Sequence, residues 1–559
     1  MSGTGNLVTR VYGGFRGVDF RGEGINIVRS PDSLNVWKDY KHTDSIRTRP
    51  GMELYMAFTE PIYGIYFYKG KMIAHSGNTL YTVAGGVKRA IYSGVAAAES
   101  NAFVYEDVWY FKDGKNYLQY DGNVISSVVG YVPTTSMTRA PSGDGKVWED
   151  VNMLTGWRIN TFRGDGGSTE FYLDATDLDT DKLPEVTVNG ARVTNGFVVD
   201  YAKGKISIAI APDAPKTDGQ DNVSVKFCKT VEGYRDAILK CKMLQVFDNR
   251  VFFSGNEELP NVVWHCGLND PTYVSDTDYY REGMDNAQVK GMVAGNNALW
   301  VFREPSGANT NVFYHTPSID EEYGKVYPSS HSSVTIGCVG KAINFNDDIV
   351  FFSDRGMEGI SGDVTTEQMA AHRSSLVDRL LTAEKDYRNM ILEEWAGYLF
   401  VFVGDKAYLA DSRGVFTNQN HIEYEWFYWQ MEKPVTSARV QDGVLYLGTA
   451  DGVYTLTDNT CPLECWWTTP KDKFNYPQMQ KTTNKRGCVA EATGDVTVYA
   501  KTENTDFERI GDYNDVADYF VSRIKRKKFK DIQLKFHSHT RFSLETVTLE
   551  CWVGGYIKR

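Results

Sequence analysis

The feature that most constrains this chain is a phrase that recurs: two short runs of large apolar residues joined by a tight turn rich in Asp, Asn and Gly. Its fullest form runs from Arg439 to Leu456, with a strand, a turn at Gln441-Asp442-Gly443, a second strand, a turn at Asp451-Gly452 and a third strand. Glycine supplies the positive φ that a twisted two-residue turn needs, so alternating apolar residues around Asp-Gly read as antiparallel hairpins. The pattern returns around Lys69-Gly70, Glu106-Asp107, Asp248-Asn249, Gly295-Asn296, Asn346-Asp347 and Ala396-Gly397. Measured between Gly70, Asp107, Asn249, Asn296, Asp347, Gly397 and Asp442, the spacings are 37, 142, 47, 51, 50 and 45. The last four fit the roughly 40 to 50 residue period of four-stranded propeller blades. One such meander cannot bury its face alone, whereas several stacked around an axis can. The expectation is an all-β chain, a β-propeller of about seven blades, with the long spacing holding one insertion.

Composition agrees with that class. The chain has 34 Tyr, 28 Phe and 51 Gly against 17 Pro, which favours strands and turns over helices. A net charge of −12 argues against a protein that embraces nucleic acid by neutralising phosphates. No apolar run is long enough to span a membrane, and Met1 to Asn6 lack a secretory pattern, so a soluble product of the cytoplasm is expected. The eight cysteines form no CxxC pair and read as buried free thiols.

Five segments follow. Residues 1–52 form a strand-poor N-terminal arm that lies across other structure in a packing role. Residues 53–157 hold the first blades. Residues 158–228 carry about six short alternating strands, with Asn189-Gly190 as a strong hairpin signal, and read as an inserted small β-sandwich. Residues 229–460 hold the remaining blades, and 461–559, where the repeat stops, read as a C-terminal β-sandwich. Thr366 to Arg388, with Met369, Leu376, Leu380 and Leu381 at helical spacing and Thr365 or Thr366 as cap, predict the one clear helix.

The motifs that bear on chemistry are sparse. Asp177, Asp179 and Asp181 alternate as in a calcium loop but lack the Gly and Glu such a loop uses, so they read as a solvated loop. His537 and His539 share one face of a strand, half of a zinc site, but spacing suggests no third ligand and the pair reads as an exposed strand face. The basic run Arg523, Lys525, Arg526, Lys527, Lys528 and Lys530 alternates with Phe520, Ile524 and Phe529 and reads as a solvated strand face or subunit contact. Ser353-Asp354-Arg355-Gly356 and Thr449-Ala450-Asp451-Gly452 resemble the turn boxes of sialidase-type propellers, in which Asp and Gly fix the turn. No catalytic, cofactor-binding or metal-binding set is assigned, and no cofactor is expected.

Three further stretches carry a resemblance. Ser30-Pro31 through Leu34-Asn35 to Arg47-Thr48-Arg49-Pro50-Gly51 resembles the N-terminal signature of tailed-phage structural propellers of the tail nozzle or tail hub. Phe162 to Gly166 through Val188-Asn189-Gly190 to Asp200-Tyr201-Ala202-Lys203-Gly204 is similar to a small sandwich module of phage virion proteins. Phe520 to Lys558 resembles the closing sandwich of the same proteins. The resemblance implies a non-enzymatic virion protein made in the host cytoplasm. It implies a ring, usually of six copies, joined to the portal, adaptor and other tail proteins, through which DNA passes without sequence-specific binding. Two other readings stand beside it: a glycan-acting or glycan-binding propeller of sialidase type, and a receptor-binding protein of the tail tip.

Overall fold

The computed structural model describes residues 6–556, apart from Glu23, Thr43, Asp218, 322–323, 362–366, 419–420, Leu463 and 526–527, and apart from the side chains of 485–486 and 555–556. Among the described residues the chain is nearly all strand, and seven four-stranded antiparallel sheets recur along it. We number them as blades: blade 1 (62–93), blade 2 (101–127), blade 3 (243–281), blade 4 (289–331), blade 5 (342–372), blade 6 (391–430) and blade 7 (437–457 together with Gly51–Ala57). This is an all-β propeller fold.

The repeat is written in its turns. In every blade the first hairpin closes through two residues that both have positive φ: Lys69-Gly70, Glu106-Asp107, Asp248-Asn249, Asn296-Asn297, Asn346-Asp347, Ala396-Gly397 and Asp442-Gly443. Such a pair is the type I′ geometry whose twist matches that of the flanking strands. The turn expected at Gly295-Asn296 lies one residue later, because Gly295 still pairs with Ala298.

Chain contacts divide the protein into two compact units, residues 1–90, 304–312 and 331–559, and residues 91–303 and 313–330. In the second unit the first strand of blade 3, Met243–Phe247, lies beside the first strands of blades 2 and 4, Asn101–Tyr105 and Val289–Gly295. The middle strand Arg250–Ser254 then sends alternate residues to opposite faces. Val251 and Phe253 pack with Tyr110 and Tyr117 of blade 2, while Phe252 packs with Leu299 and Val301 of blade 4. A strand buried on both faces is what its unbroken apolar run encodes.

The insertion sits between blades 2 and 3 as a six-stranded sheet facing a three-stranded one over a core of Phe162, Phe171, Val186, Ile206, Val225 and Phe227. It begins earlier than residue 158: Thr134–Arg139 runs parallel to Trp157–Phe162 within the larger sheet, and Lys146–Val147 pairs with Thr134–Arg139. Between these strands the chain returns to the blades. Asn152 is buried there, donating to the carbonyls of Tyr131 and Thr272 (2.8 Å each) and accepting from the amides of Leu154 and Val274 (3.0 Å each). A short helix unsignalled by the sequence, Tyr234–Leu239, follows the sandwich and buries Ile238.

In the first unit the arm is not a loose strap. Asn6–Gly13 is an eight-residue strand, and Asn6–Gly13, Val36–Trp37 and Ile46–Thr48 all join a ten-stranded sheet with the C-terminal strands. The expected strand-poor segment is corrected because alternation was present: Arg10 and Tyr12 point inward to the buried Asp472, while Leu7 and Val11 point out. The long strand Met479–Thr502 organises this sheet. Its first part pairs with Phe542–Tyr556 and its last with Ile532–Ser538 and Glu508–Val516, with register shifts between.

The predicted helix over 366–388 is overturned. Its Thr365 and Thr366 cap falls outside the described residues. Met369–His372 is the outer strand of blade 5, and the described helical turns are Asp378–Leu381 and a 3-10 turn at Tyr387–Asn389. The strand Gly356–Ser361 needs a pairing partner, and that tertiary demand outweighs helical spacing. Leu376 and Leu381 keep their core positions.

Candidate functional site

The Asn35 and Arg49 signature builds a buried polar centre in the first unit. Asn35 sits at φ 57° with its own amide bonded to the Tyr428 carbonyl, 3.1 Å, and its carbonyl accepting the Arg49 amide, 3.0 Å. Its side chain then works in both directions: Oδ1 accepts from Arg49 Nε and from the Gln430 amide (2.9 Å each), and Nδ2 donates to the Glu464 carbonyl at 2.8 Å. The Arg49 side chain is wholly buried. It donates to the carbonyls of Pro50 (2.8 Å) and Gln430 (2.7 Å), pairs with Glu432 at 3.0 Å, and lies over the Trp429 ring. Only a planar fork with several donors can serve these acceptors at once. Upstream, Arg29 holds Glu425 in a buried bidentate pair, 2.8 Å on each arm. The backbone at Gly17 passes so close that a Cβ there would stand 1.9 Å from the Trp426 carbonyl oxygen.

Two clusters have the residue types of a nucleophilic triad, wired differently. His315 is buried with Nε2 at 2.8 Å from Glu282 and Nδ1 at 2.9 Å from the Tyr327 carbonyl, while the Ser329 hydroxyl donates to Glu282. His372 lies between Asp378 (2.6 Å) and Glu358 (3.1 Å), and the Ser374 hydroxyl donates to Asp378. In each, the hydroxyl goes to the acid and both imidazole nitrogens are occupied, so neither histidine is placed to take a serine proton. Burial opposes the His372 charge, but the two carboxylates outweigh it and raise its pKa to about 10. Burial lowers His265, in the same unit as His315, to about 4.

A groove of about 790 Å³ in the first unit is lined by Trp37, Arg47, Glu394, Trp395, Asp458 and Arg541 among others. Burial pushes the Glu394 carboxyl up from its ordinary value. Asp458 is paired with Arg541 at 2.8 Å. Trp37 is buried and stacked on Trp395, with further ring contacts to Tyr398 and Trp429. Its face is therefore spent on the core and is not offered as a sugar platform.

The sequence-marked residues fall as follows. Asp179 accepts from the amide and hydroxyl of Thr230, and Asp181 pairs with Lys182, so the three aspartates do not converge on one point. Both turn boxes act as turns: Thr449 Oγ1 donates to Asp451, and the Arg355 amide donates to Ser353 Oγ. In the basic run Phe520 and Phe529 are buried while Arg523, Lys525, Lys528 and Lys530 are exposed; Arg526 and Lys527 lie outside the described residues. Seven of the eight cysteines are buried, and burial raises the thiols of Cys241 and Cys488 to about 12. His537 and His539 do share a face, and the fold brings Glu464 to them, a residue that spacing alone did not suggest. The missing signal was register: Cys465–Thr468 pairs antiparallel with Ile532–Ser538. Among the described residues no helix is long and apolar enough to cross a membrane.

Class is defined here by sheet topology: a β-propeller interrupted by one sandwich and followed by an antiparallel end sheet. No family model and no curated protein matches the chain. Among solved structures, similarity is to BamB from Moraxella catarrhalis (11% identity, 77% of this chain and 95% of that one, TM-score 0.33). It extends to Hsv2 from Kluyveromyces lactis (10%, 74% and 94%, TM-score 0.31). An exo-β-1,3-galactanase from Phanerochaete chrysosporium aligns at 8% identity over 84% of this chain and 100% of that one, with a TM-score of 0.18. Similarities this distant carry no argument about function.

Proposed function

We propose that this chain is a structural virion protein of a tailed phage, one copy of a ring in the tail nozzle or hub that lines the exit path of the genome. The observation that carries the reading is the use made of the Arg-Pro-Gly signature. Arg49 is buried in the clamp, Gly51 begins the strand that completes blade 7, and Pro50 alone of the three lines the groove beside Trp37 and Trp395, so the motif chiefly joins parts of a scaffold. The polar clusters are consumed in the same way, as internal ties. Net charge of −12 suits a wall that DNA must slide past, since a basic wall would hold phosphates by counterion release.

In this reading the end sheet supplies the surface for subunit contact. Leu7 faces Trp552 across the Asn6–Gly13 and Phe542–Tyr556 pair, and with Val11 they form an apolar strip about half exposed (45%, 44% and 52%). Native mass measurement and electron microscopy of the purified chain test the reading. A ring of several copies, lost in Leu7→Asp with Trp552→Ala while strand content is kept, is the expected result. A strict monomer at all concentrations, or turnover of a β-linked glycan panel, would overturn it.

A further inference from the structure

Cys465–Thr468 pairs with Ile532–Ser538 in the register Cys465↔Ser538 and Trp466↔His537. One step further along the same register sets Glu464 opposite His539. Strand side chains alternate, so Glu464, Trp466, His537 and His539 emerge on one face while Cys465 and Ser538 turn into the core. A carboxylate oxygen of Glu464 and one nitrogen of each imidazole all lie within 4.8 Å of one another. The two rings stand edge to face, with centroids 4.6 Å apart.

We propose that Glu464, His537 and His539 form a binding site for a first-row divalent transition ion of the zinc class, with a fourth coordination position open to water. Two imidazoles and one carboxylate are a donor set of zinc sites that keep an exchangeable position, whereas calcium and magnesium select oxygen ligands. Zinc bonds of about 2.0 to 2.2 Å place tetrahedral ligand atoms roughly 3.3 to 3.5 Å apart. The side chains reach that spacing by closing inward by little more than an ångström, without moving a strand.

The backbone beneath is fixed from both sides. Asn35 Nδ2 donates to the Glu464 carbonyl, Leu34 and Trp466 exchange backbone hydrogen bonds of 3.0 Å, and Thr497 pairs with His537 across the sheet. His537, half-buried, stacks against Trp466 and meets Tyr499 edge-on, which restrains its ring. Lys535, a cation on this face that opposes a metal, lies over Trp466 at 3.8 Å and toward Asp32 at 3.7 Å. A bound ion would tie the segment leading into Cys465–Thr468 to the neighbouring strand, beside the Asn35 clamp.

The test strips the full-length chain with chelator and titrates it with zinc chloride by calorimetry, and with cobalt(II) by visible absorption. One zinc per chain and a tetrahedral cobalt spectrum are expected. His539→Ala and Glu464→Gln should each weaken zinc by at least about tenfold, the scale seen when even an indirect partner of a ligand is lost, and together should abolish the cobalt bands. Both residues are exposed, so the metal-free variants should melt with the parent. No zinc uptake by the parent, or uptake unchanged in His539→Ala and Glu464→Gln, overturns the site; the second result would assign binding elsewhere, for instance to Cys461.

Discussion

Replacing Arg49 with Met removes the guanidinium at the centre of the arm clamp while keeping most of its volume. Three hydrogen bonds and one ion pair end on this group. Their loss is not uniform. Asn35 Oδ1 keeps the Gln430 amide, and Glu432, 29% exposed, returns to water. The carbonyls of Pro50 and Gln430 lose a charged donor inside the protein, where a hydrogen bond to a charged group is worth about 1.5 to 3 kcal/mol. With two such carbonyl bonds lost and Glu432 rehydrated, the cost is about 3 to 5 kcal/mol, a large share of a domain stability of about 5 to 15 kcal/mol. At about 2 to 4 °C per kcal/mol for a large domain, melting of the first unit should fall by about 6 to 20 °C. Arg49→Lys keeps the charge but not the fork and should fall between. Thermal and urea unfolding followed by tryptophan emission, with hydrogen exchange at Asn35 and Gln430, reads the effect. Were Arg49→Met to melt with the parent and keep the Gln430 amide protected, the clamp would be a crossing of chains with no energetic role.

Asn152→Ala leaves the Tyr131 carbonyl and the amides of Leu154 and Val274 without this partner, while the Thr272 carbonyl keeps the Tyr131 amide, and should cost about 2 to 4 kcal/mol, at about 1 to 3 kcal/mol per orphaned group before water relieves some of them; denaturant unfolding of that variant checks it. Excising 158–228 alone should strip Thr134–Arg139 of its partner Trp157–Phe162, leaving it paired only with the two-residue Lys146–Val147, and the exposed edge should drive aggregation, seen by light scattering. His372 has a folded pKa near 10 against an ordinary value near 6.5, so its stabilisation is full below about pH 6.5 and is lost as pH rises through 10; a stability profile from pH 6 to 10 should flatten in His372→Gln. Ala396, at φ 50° in the blade 6 turn, should accept Gly with a gain of about 0.5 to 1 kcal/mol, since left-handed strain is relieved and only part is returned as chain entropy; a raised melting temperature is the readout.

The blades were legible because each is announced by a local event. A type I′ turn needs positive φ at two successive residues, and Asp, Asn and Gly advertise it over a stretch of four. The same locality explains the slip at Asn296-Asn297, where Gly295 drew the turn one residue early although it still pairs with Ala298 as part of the strand. Met369 to Leu381 shows the opposite limit: the spacing is helical, but the unpaired edge of Gly356–Ser361 is a property of the folded blade and leaves no mark within a short window. Glu464 was invisible for the same reason, being joined to His539 by a strand register that spans more than seventy residues.

The arm was the largest misreading, and its correction changes what the signature means. Ile46–Thr48 pairs with Phe542–Tyr556 in the end sheet, and Gly51–Ala57 pairs with Gly452–Thr457 to complete blade 7. Only Arg49 and Pro50 separate the two pairings. Proline there donates nothing to either ladder and so ends the first strand. Gly51 then lets the chain pass where a Cβ would meet Thr460 Oγ1 at 2.6 Å. Arg49, at the same corner, fastens the turn to the last strand of blade 6 through Gln430. One tripeptide thus couples blade 6, blade 7 and the end sheet, and loosening it should let the closing strand and the arm strands open together. Under the proposed function, in which the chain holds a shape while a polymer moves past it, that coupling gives the motif a physical reason to stay intact.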